Sequence, residues 1–372
     1  MIPVFKPSYG KEELAALKEI FKSGWIGLGP KTAEFEEKFA SYIGTKHAVG
    51  VNSATAALHL ALKVMGVENG EVITTSMTFV STNHAILYNN GIPVFADIEA
   101  DTLNIDPADI ERKVTKNTKA IVVVHYGGHA CDMDRIMAIA KKHGLKVIED
   151  CAHACGGEYK GRKLGSIGDI ACFSFHAVKN LATGEGGMIT LNDGGLAERL
   201  KRLRWLGISR DTYSRNVPNK GYSWYYNVEE IGFKCHMNDI PAALGLVQLK
   251  KLERMNKKRE RLYKRYNDQL SGIGSIEIPV IKSYAKNAYH NYVIKASKRD
   301  ELIGYLKDKG ISTGVHYIPN HLYDIYKDYR TSLPVAERVW KRLITLPLYP
   351  DLSAADQKKV IDSIKGFFKA RA

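Results

Sequence analysis

A small set of residues in this 372-residue chain could share one chemistry. Lys179 follows the apolar run Ile170 to Phe175 and precedes the turn Thr183-Gly184-Glu185-Gly186-Gly187. A lysine at a strand end, in a partly desolvated site, loses proton affinity and can attack a carbonyl to form a Schiff base. The glycines beyond it permit turns and close approach that a β-carbon would block. Asp150 leaves another apolar strand, where a carboxylate could hold a heterocyclic nitrogen protonated and electron-withdrawing. His153, three residues on, could hydrogen-bond a phenolic oxygen. Asn52-Ser53-Ala54-Thr55 joins a strand to a helix, so the amides of Ala54 and Thr55 could face an anion with the helix dipole behind them. Ser174 could reach the same anion, and Phe79 could stack on a flat ring.

Each residue also has a plainer explanation. Lys179 could sit in a surface turn, Asp150 could cap the next turn, Ser53 or Thr55 could cap its own helix, and Phe79 could be core. The combination decides between them. A phosphate cradle, a carboxylate for a ring nitrogen, a stacking surface and a nucleophilic amine are the four needs of pyridoxal 5′-phosphate (PLP).

These residues require a frame. Apolar strands and helices alternate over His47 to Val51, Ala54 to Met65, Glu71 to Thr75, Phe79 to Tyr88, Ile92 to Phe95, Ala120 to Val124, Ile136 to His143 and Lys146 to Ile148. That alternation predicts an α/β fold with a mostly parallel central sheet flanked by helices, and ligands beyond the strands' carboxyl ends. Helices are expected over Pro7 to Lys22 and Thr32 to Ile43, the latter putting Phe35, Phe39 and Tyr42 in the core. Between Arg204 and Lys234 the pattern lapses around Trp205, Tyr213, Tyr222, Trp224, Tyr225 and Tyr226, which suggests a long, functional loop. One long helix follows over Asn238 to Leu270. Strands are then expected over Ile276 to Val280, Asn291 to Ala296 and Ile311 to Tyr317, with helices over Arg299 to Lys309 and Ala354 to Phe368. The reading gives a large domain over 1–244 and a smaller C-terminal α/β domain over 245–372.

Composition narrows the class. No run of eighteen apolar residues marks a membrane helix, and the N-terminus lacks an apolar signal core. Five cysteines, with no C-x-x-C spacing, argue against a disulfide framework or zinc site and for a reducing cytoplasm. No metal is expected. A net charge of +14 raises nucleic-acid binding as a rival, but the basic residues form no single block. Their densest run, Lys250 to Arg265, reads as the solvated face of the long helix.

The sequence blocks in order are Ser53-Ala54-Thr55-Ala56, Ser76 to Thr82, Val124 to Gly128 with Cys131 to Asp134, Glu149 to His153, Ser174 to Asn180 and Gly184 to Gly187. Together they resemble the DegT/DnrJ/EryC1/StrS sugar aminotransferases over nearly the whole chain. The details are most similar to UDP-4-amino-4-deoxy-L-arabinose aminotransferases and related nucleotide-4-keto-6-deoxysugar enzymes. The resemblance implies the fold type I PLP-dependent transferase architecture, with a seven-stranded-type sheet, and a homodimer with shared active sites. It implies that Lys179 carries the cofactor and shuttles protons, that Asp150 pairs with the pyridine nitrogen and His153 with the ring hydroxyl. Ala54, Thr55 and Ser174 would hold the phosphate and Phe79 would stack on the ring. Trp25, Gly27, His176, Glu185, His316 and Tyr317 would line the substrate pocket. Where many members carry Asn-Tyr-Arg this chain has Lys234-Cys235-His236, so Lys234 or His236 would reach the neighbouring cofactor phosphate. The implied reaction moves an amino group from L-glutamate to a keto carbon, C4, of a nucleotide-diphosphate-linked sugar. Attack at C3, or a regulator that binds PLP without catalysis, are the alternatives. Members that remove a hydroxyl carry histidine at the lysine position; Lys179 argues against that chemistry.

Overall fold

The computed structural model describes residues 1–209, 215 and 224–370. Tyr213 and Tyr222 of the irregular segment lie outside the described residues. Helices α1 (Lys11–Ser23) and α2 (Pro30–Ile43) open the chain. α1 begins four residues later than the periodicity suggests. Its start is set by the Glu13 carboxylate, which accepts from the Gly10 N–H at 2.7 Å and so satisfies a donor at the helix entrance.

The central sheet contains β1 (His47–Val51), β2 (Glu71–Thr75), β3 (Ile92–Ala96), β4 (Thr118–Val124) and β5 (Lys146–Asp150). After the short hairpin β6 (Glu158–Tyr159) and β7 (Arg162–Lys163) come β8 (Ile170–Ser174) and β9 (Gly187–Leu191). The seven strands are ordered β1-β9-β8-β5-β4-β2-β3. All run parallel except β9, which is antiparallel to both neighbours. No helix intervenes between β8 and β9, and a parallel return would need such a crossover.

Alternation along the strands loads both faces. Ile73, Ile121, Val147 and Phe173 pack with Phe35 and Phe39 of α2. Their neighbours Val72, Val122, Ile148 and Cys172 face Leu58 and Leu62 of α3 (Ala54–Val64). Helices α4 (Val80–Tyr88), α5 (Pro107–Lys113), α6 (Met133–His143) and α7 (Gly194–Leu203) complete the cover.

The 32-residue helix Asp239–Leu270, about 48 Å long at 1.5 Å per residue, ties this layer to a second core. Leu246 and Leu252 pack under the main sheet. Tyr263, Tyr266 and Leu270 pack on the C-terminal unit. There β10 (Ile276–Glu277), β12 (Tyr292–Ala296) and β13 (Leu343–Leu346) form an antiparallel sheet; β11 (Ala285–Lys286) pairs with β6 instead. The boundary at 244/245 thus falls inside one continuous helix, and Ile2 packs in the C-terminal core.

Two expectations need correction. Ile311 to Tyr317 is not a strand: Ile311 and Gly314 make only isolated bridges, to Ile2 and Thr345, and the missing strand is Leu343–Leu346. The segment turns instead toward the main sheet, where the Tyr126 hydroxyl donates to the His316 carbonyl. The run Lys250 to Arg265 is not simply a solvated face either. Lys251 is buried with Nζ at 2.8 and 2.9 Å from the two Glu13 oxygens, and Arg259 is buried beside Asn256. Helical spacing carries these two positions under the chain's N-terminal layer and its second core. Among the described residues no helix is long and apolar enough to cross a membrane.

Candidate active site

The sheet's ligand edge opens into a cavity of about 360 Å³. Val124, Asp150 and Ser174 reach it from the ends of β4, β5 and β8. Ala54 and Thr55 reach it from the start of α3, and Phe79 and Thr82 from the start of α4. Lys179 enters from the loop after β8, and His316 and Tyr317 from the C-terminal unit.

Pleating assigns different tasks to two adjacent acids. Asp150 shares a face with Ile148 and points toward α4. Its Oδ2 accepts from Thr82 Oγ1 at 2.8 Å and its Oδ1 from the Ala152 N–H at 3.0 Å. Burial raises its pKa above the ordinary carboxyl value, and those two bonds only partly oppose the rise. Asp150 therefore does cap a turn, and it also fronts the cavity. Glu149 points to the opposite face. It accepts from the Gly165, Ile167 and Gly168 amides at 3.0, 2.8 and 2.7 Å and from His125 Nε2 at 3.0 Å. Burial alone would raise its pKa, but the His125 and backbone bonds outweigh it and hold the carboxyl low. His125, Glu149 and Cys151 crowd together as metal ligands might be sought, all buried. The lone pairs are nevertheless engaged: His125 Nδ1 accepts from the Cys131 N–H at 3.1 Å, which leaves Nε2 as the donor to Glu149. Burial holds the Cys151 thiol protonated. The cluster is an anchor for the strand that ends in Asp150.

Burial pushes Lys179 down to about 8, against the raising influence of Asp150. Its amine is thus more readily neutral than a surface lysine's. His153 is buried and stays neutral, driven down first by burial and then by the Lys179 charge. Its Nδ1 accepts from the Gly127 N–H at 3.4 Å, so Nε2 donates to the Tyr317 hydroxyl at 3.0 Å. His316 falls to about 4 for the same two reasons, with Nδ1 2.7 Å from Thr345 Oγ1.

Ser53 caps α3 by accepting from the Ala56 N–H at 3.1 Å. That leaves the Ala54 and Thr55 amides at the positive end of the helix. Gly187 presses against this turn: a Cβ there would fall 2.5 Å from the Ser53 carbonyl and 2.8 Å from the Ala54 nitrogen. Phe79 is not core. It is 58% exposed, with its ring 6.3 Å from Tyr317. His176 lies 3.7 Å from exposed Glu185 at the cavity mouth.

Trp25, Gly27, Lys234 and His236 are not among this cavity's lining residues. Trp25 donates from Nε1 to the Leu28 carbonyl at 3.1 Å, and the Gly27 carbonyl accepts from Asp239. Lys234 lies over the Trp205 ring, 3.3 Å from its centre, and His236 meets that ring edge-on. Thr82, Phe5 and His290 belong to the cavity and were missed. Thr82 stands one helical step from Phe79, which could have revealed it. Phe5 and His290 come from the N-terminus and the second core, and no local spacing signals them.

A half-buried amine of lowered pKa, a buried carboxylate, an exposed ring face and a helix N-terminus share one cavity. They suit a phosphorylated aldehyde on a heterocycle, and the fold and donor set are those of a PLP-dependent enzyme. The profile of the DegT/DnrJ/EryC1/StrS aminotransferase family matches residues 7–365, and the chain belongs to that family, whose aminotransferases depend on PLP. It is similar to the spore coat polysaccharide biosynthesis protein SpsC of Bacillus subtilis, 46% identical over 380 aligned residues covering 99% of this chain and 97% of the relative. Among solved structures it resembles the aminotransferase TlmJ from Streptoalloteichus hindustanus, with TM-score 0.93 and 35% identity over 100% of this chain and 99% of that one. The sugar aminotransferase CalS13 from Micromonospora echinospora gives TM-score 0.91 and 33% identity over 98% and 100%.

Proposed function

We propose that this enzyme transfers an amino group from L-glutamate to the C4 keto carbon of a nucleotide-diphosphate-linked keto sugar. The product would feed surface polysaccharide biosynthesis, the process named for the SpsC relative. The observation that carries the reading is that Lys179, lowered to about 8, and buried Asp150 share the cavity that also holds the α3 N-terminus.

When bound, PLP supplies an aldehyde to receive the amino group and a protonated ring to draw electrons from the reacting carbon. Lys179 would hold the aldehyde and would take up and return a proton at its Nζ during the transfer; a pKa near the working pH suits both directions. Asp150, held by Thr82 and Ala152, keeps the ring nitrogen protonated. His153 orients the ring hydroxyl. Ala54, Thr55 and Ser174 bind the phosphate, and Phe79 offers its face to the ring. His176, Glu185, His316 and Tyr317 surround the substrate.

Lys234 or His236 would reach the neighbouring cofactor of a homodimer, and Trp25 and Gly27 would line a substrate pocket completed by that assembly. Exposed Ile26, Val228 and Ile231 along the same segments support that placement. The domain reading places the cofactor on 1–244, with 245–372 closing over it through His290, His316 and Tyr317. The test is a panel of UDP-, GDP- and dTDP-linked 4-keto and 3-keto sugars incubated with enzyme and glutamate and read by mass spectrometry. A 4-amino sugar is expected; amination of 3-keto sugars alone, or of none, overturns the assignment.

A further inference from the structure

His290 is buried at the cavity wall, and its ring nitrogens carry none of the roles above. Its ring stacks 4.5 Å from His153 on one side and 5.4 Å from Phe5 on the other. Its Nδ1 lies 3.0 Å from Asn180 Oδ1. Asn180 directly follows Lys179 in the chain.

The protonation of this imidazole can be traced outward. Asn180 Nδ2 donates to the Ala288 carbonyl at 2.6 Å and to Asn256 Oδ1 at 3.0 Å. Asn256 in turn is fixed on two sides: its Oδ1 accepts from Arg259 Nη1 at 3.0 Å and its Nδ2 donates to the Cys155 carbonyl at 3.1 Å. An arginine has only donors, and carbonyls only accept. Burial lowers Arg259 to about 10, still protonated at neutral pH. Both amides therefore have one orientation, and Asn180 presents oxygen, not nitrogen, to His290. A neutral imidazole must then carry its proton on Nδ1 and a lone pair on Nε2.

We propose that Asn180, backed by Asn256 and Arg259, is a positioning residue that locks His290 as the Nδ1–H tautomer, so that Nε2 stands as a hydrogen-bond acceptor in the wall of the cavity that Lys179 also lines. The same loop thus carries the reactive lysine and the group that orients an acceptor in the same cavity wall. Burial first, then the nearby His153, Lys179, Arg259 and His316, disfavour a proton on His290 and lower its pKa. The inference rests on the cavity being the active site, but its first readout is independent of turnover.

The test uses the PLP-loaded enzyme labelled with ¹⁵N-histidine, with the His290 signals assigned by their loss in His290→Gln. Long-range ¹H–¹⁵N spectra should show Nδ1 protonated and Nε2 bare. A protonated Nε2 in the unsubstituted enzyme overturns the proposal even if amination proceeds as expected. Asn180→Leu should mix the two tautomers and lower kcat on the order of tenfold, a fraction of what a direct acid–base group contributes, with KM for glutamate little changed. Asn180→Gln, which keeps the amide, should recover part of both signals. An Asn180→Leu enzyme with an unmixed His290 tautomer, or with KM raised and kcat intact, would also refute it.

Discussion

Asp150→Asn isolates the carboxylate's charge with little change in shape. The side chain is buried and receives only two hydrogen bonds, from Thr82 and Ala152. An amide oxygen can keep the Ala152 bond. The amide nitrogen then faces Thr82 Oγ1, which can turn to accept, because Thr82 also has Thr78 Oγ1 at 2.9 Å. Folding should therefore survive. On the proposed role of Asp150, the loss would be a charge-assisted bond to a ring nitrogen, about 3 kcal/mol at the upper end for such bonds. That corresponds to a rate loss on the order of a hundredfold, and more where the ring's electron-withdrawing power falls as well. Lys179 should also respond. Asp150 is the influence that raises its pKa, so removing the charge should move the amine below its present value of about 8. The assay is the single-turnover half reaction with L-glutamate, followed by cofactor absorbance, with circular dichroism as the control for folding. A folded Asp150→Asn enzyme with near-normal half-reaction rates would refute the reasoning.

Lys179→Ala should abolish turnover and the lysine-linked cofactor absorbance while leaving the fold; borohydride reduction and digestion of the wild type should place a pyridoxyl label on the Lys179 peptide, and label elsewhere would contradict the assignment. In the cofactor-free protein, Lys179 binds a proton less readily than in the unfolded chain, about 8 against 10.5. Between those values the unfolded state holds more protons, so this group's contribution makes stability rise with pH, by about 3 kcal/mol in total. Denaturant titrations from pH 7 to 11 should show that rise in wild type relative to Lys179→Met; parallel curves would exclude it. Glu149→Gln sets an amide N–H against groups that all donate, and should cost about 2–3 kcal/mol in urea unfolding; an unchanged midpoint would show that the anchor is dispensable. Ser53→Ala should remove the α3 cap at a cost of about 1 kcal/mol, read the same way.

Local pattern decided much of this protein. Strand and helix periods marked the elements of the main sheet, because burial on one face or both leaves a repeat in the chain. Asp150 and Ser174 were legible because each lies at the end of an apolar run and Lys179 because it follows one, and in a parallel sheet those ends gather at one edge. The same logic failed where neighbours are remote. β9 runs antiparallel because the glycine-rich loop carries no crossover helix. Ile311 to Tyr317 looks like a strand but pairs at only two isolated positions. Phe79 looks like core but faces the cavity. Lys251 and Arg259 sit in a basic run, and only packing against Glu13 and Asn256 draws them inside. Which of Glu149 and Asp150 faces the cavity depends on the pleat's register against its neighbouring strands. His290 and Phe5 enter from distant parts of the chain, and the amide orientation that fixes the imidazole proton exists only once four segments meet. Composition and spacing determined the chemistry available; long-range packing decided which side chains are dry, which way they point and where their protons lie.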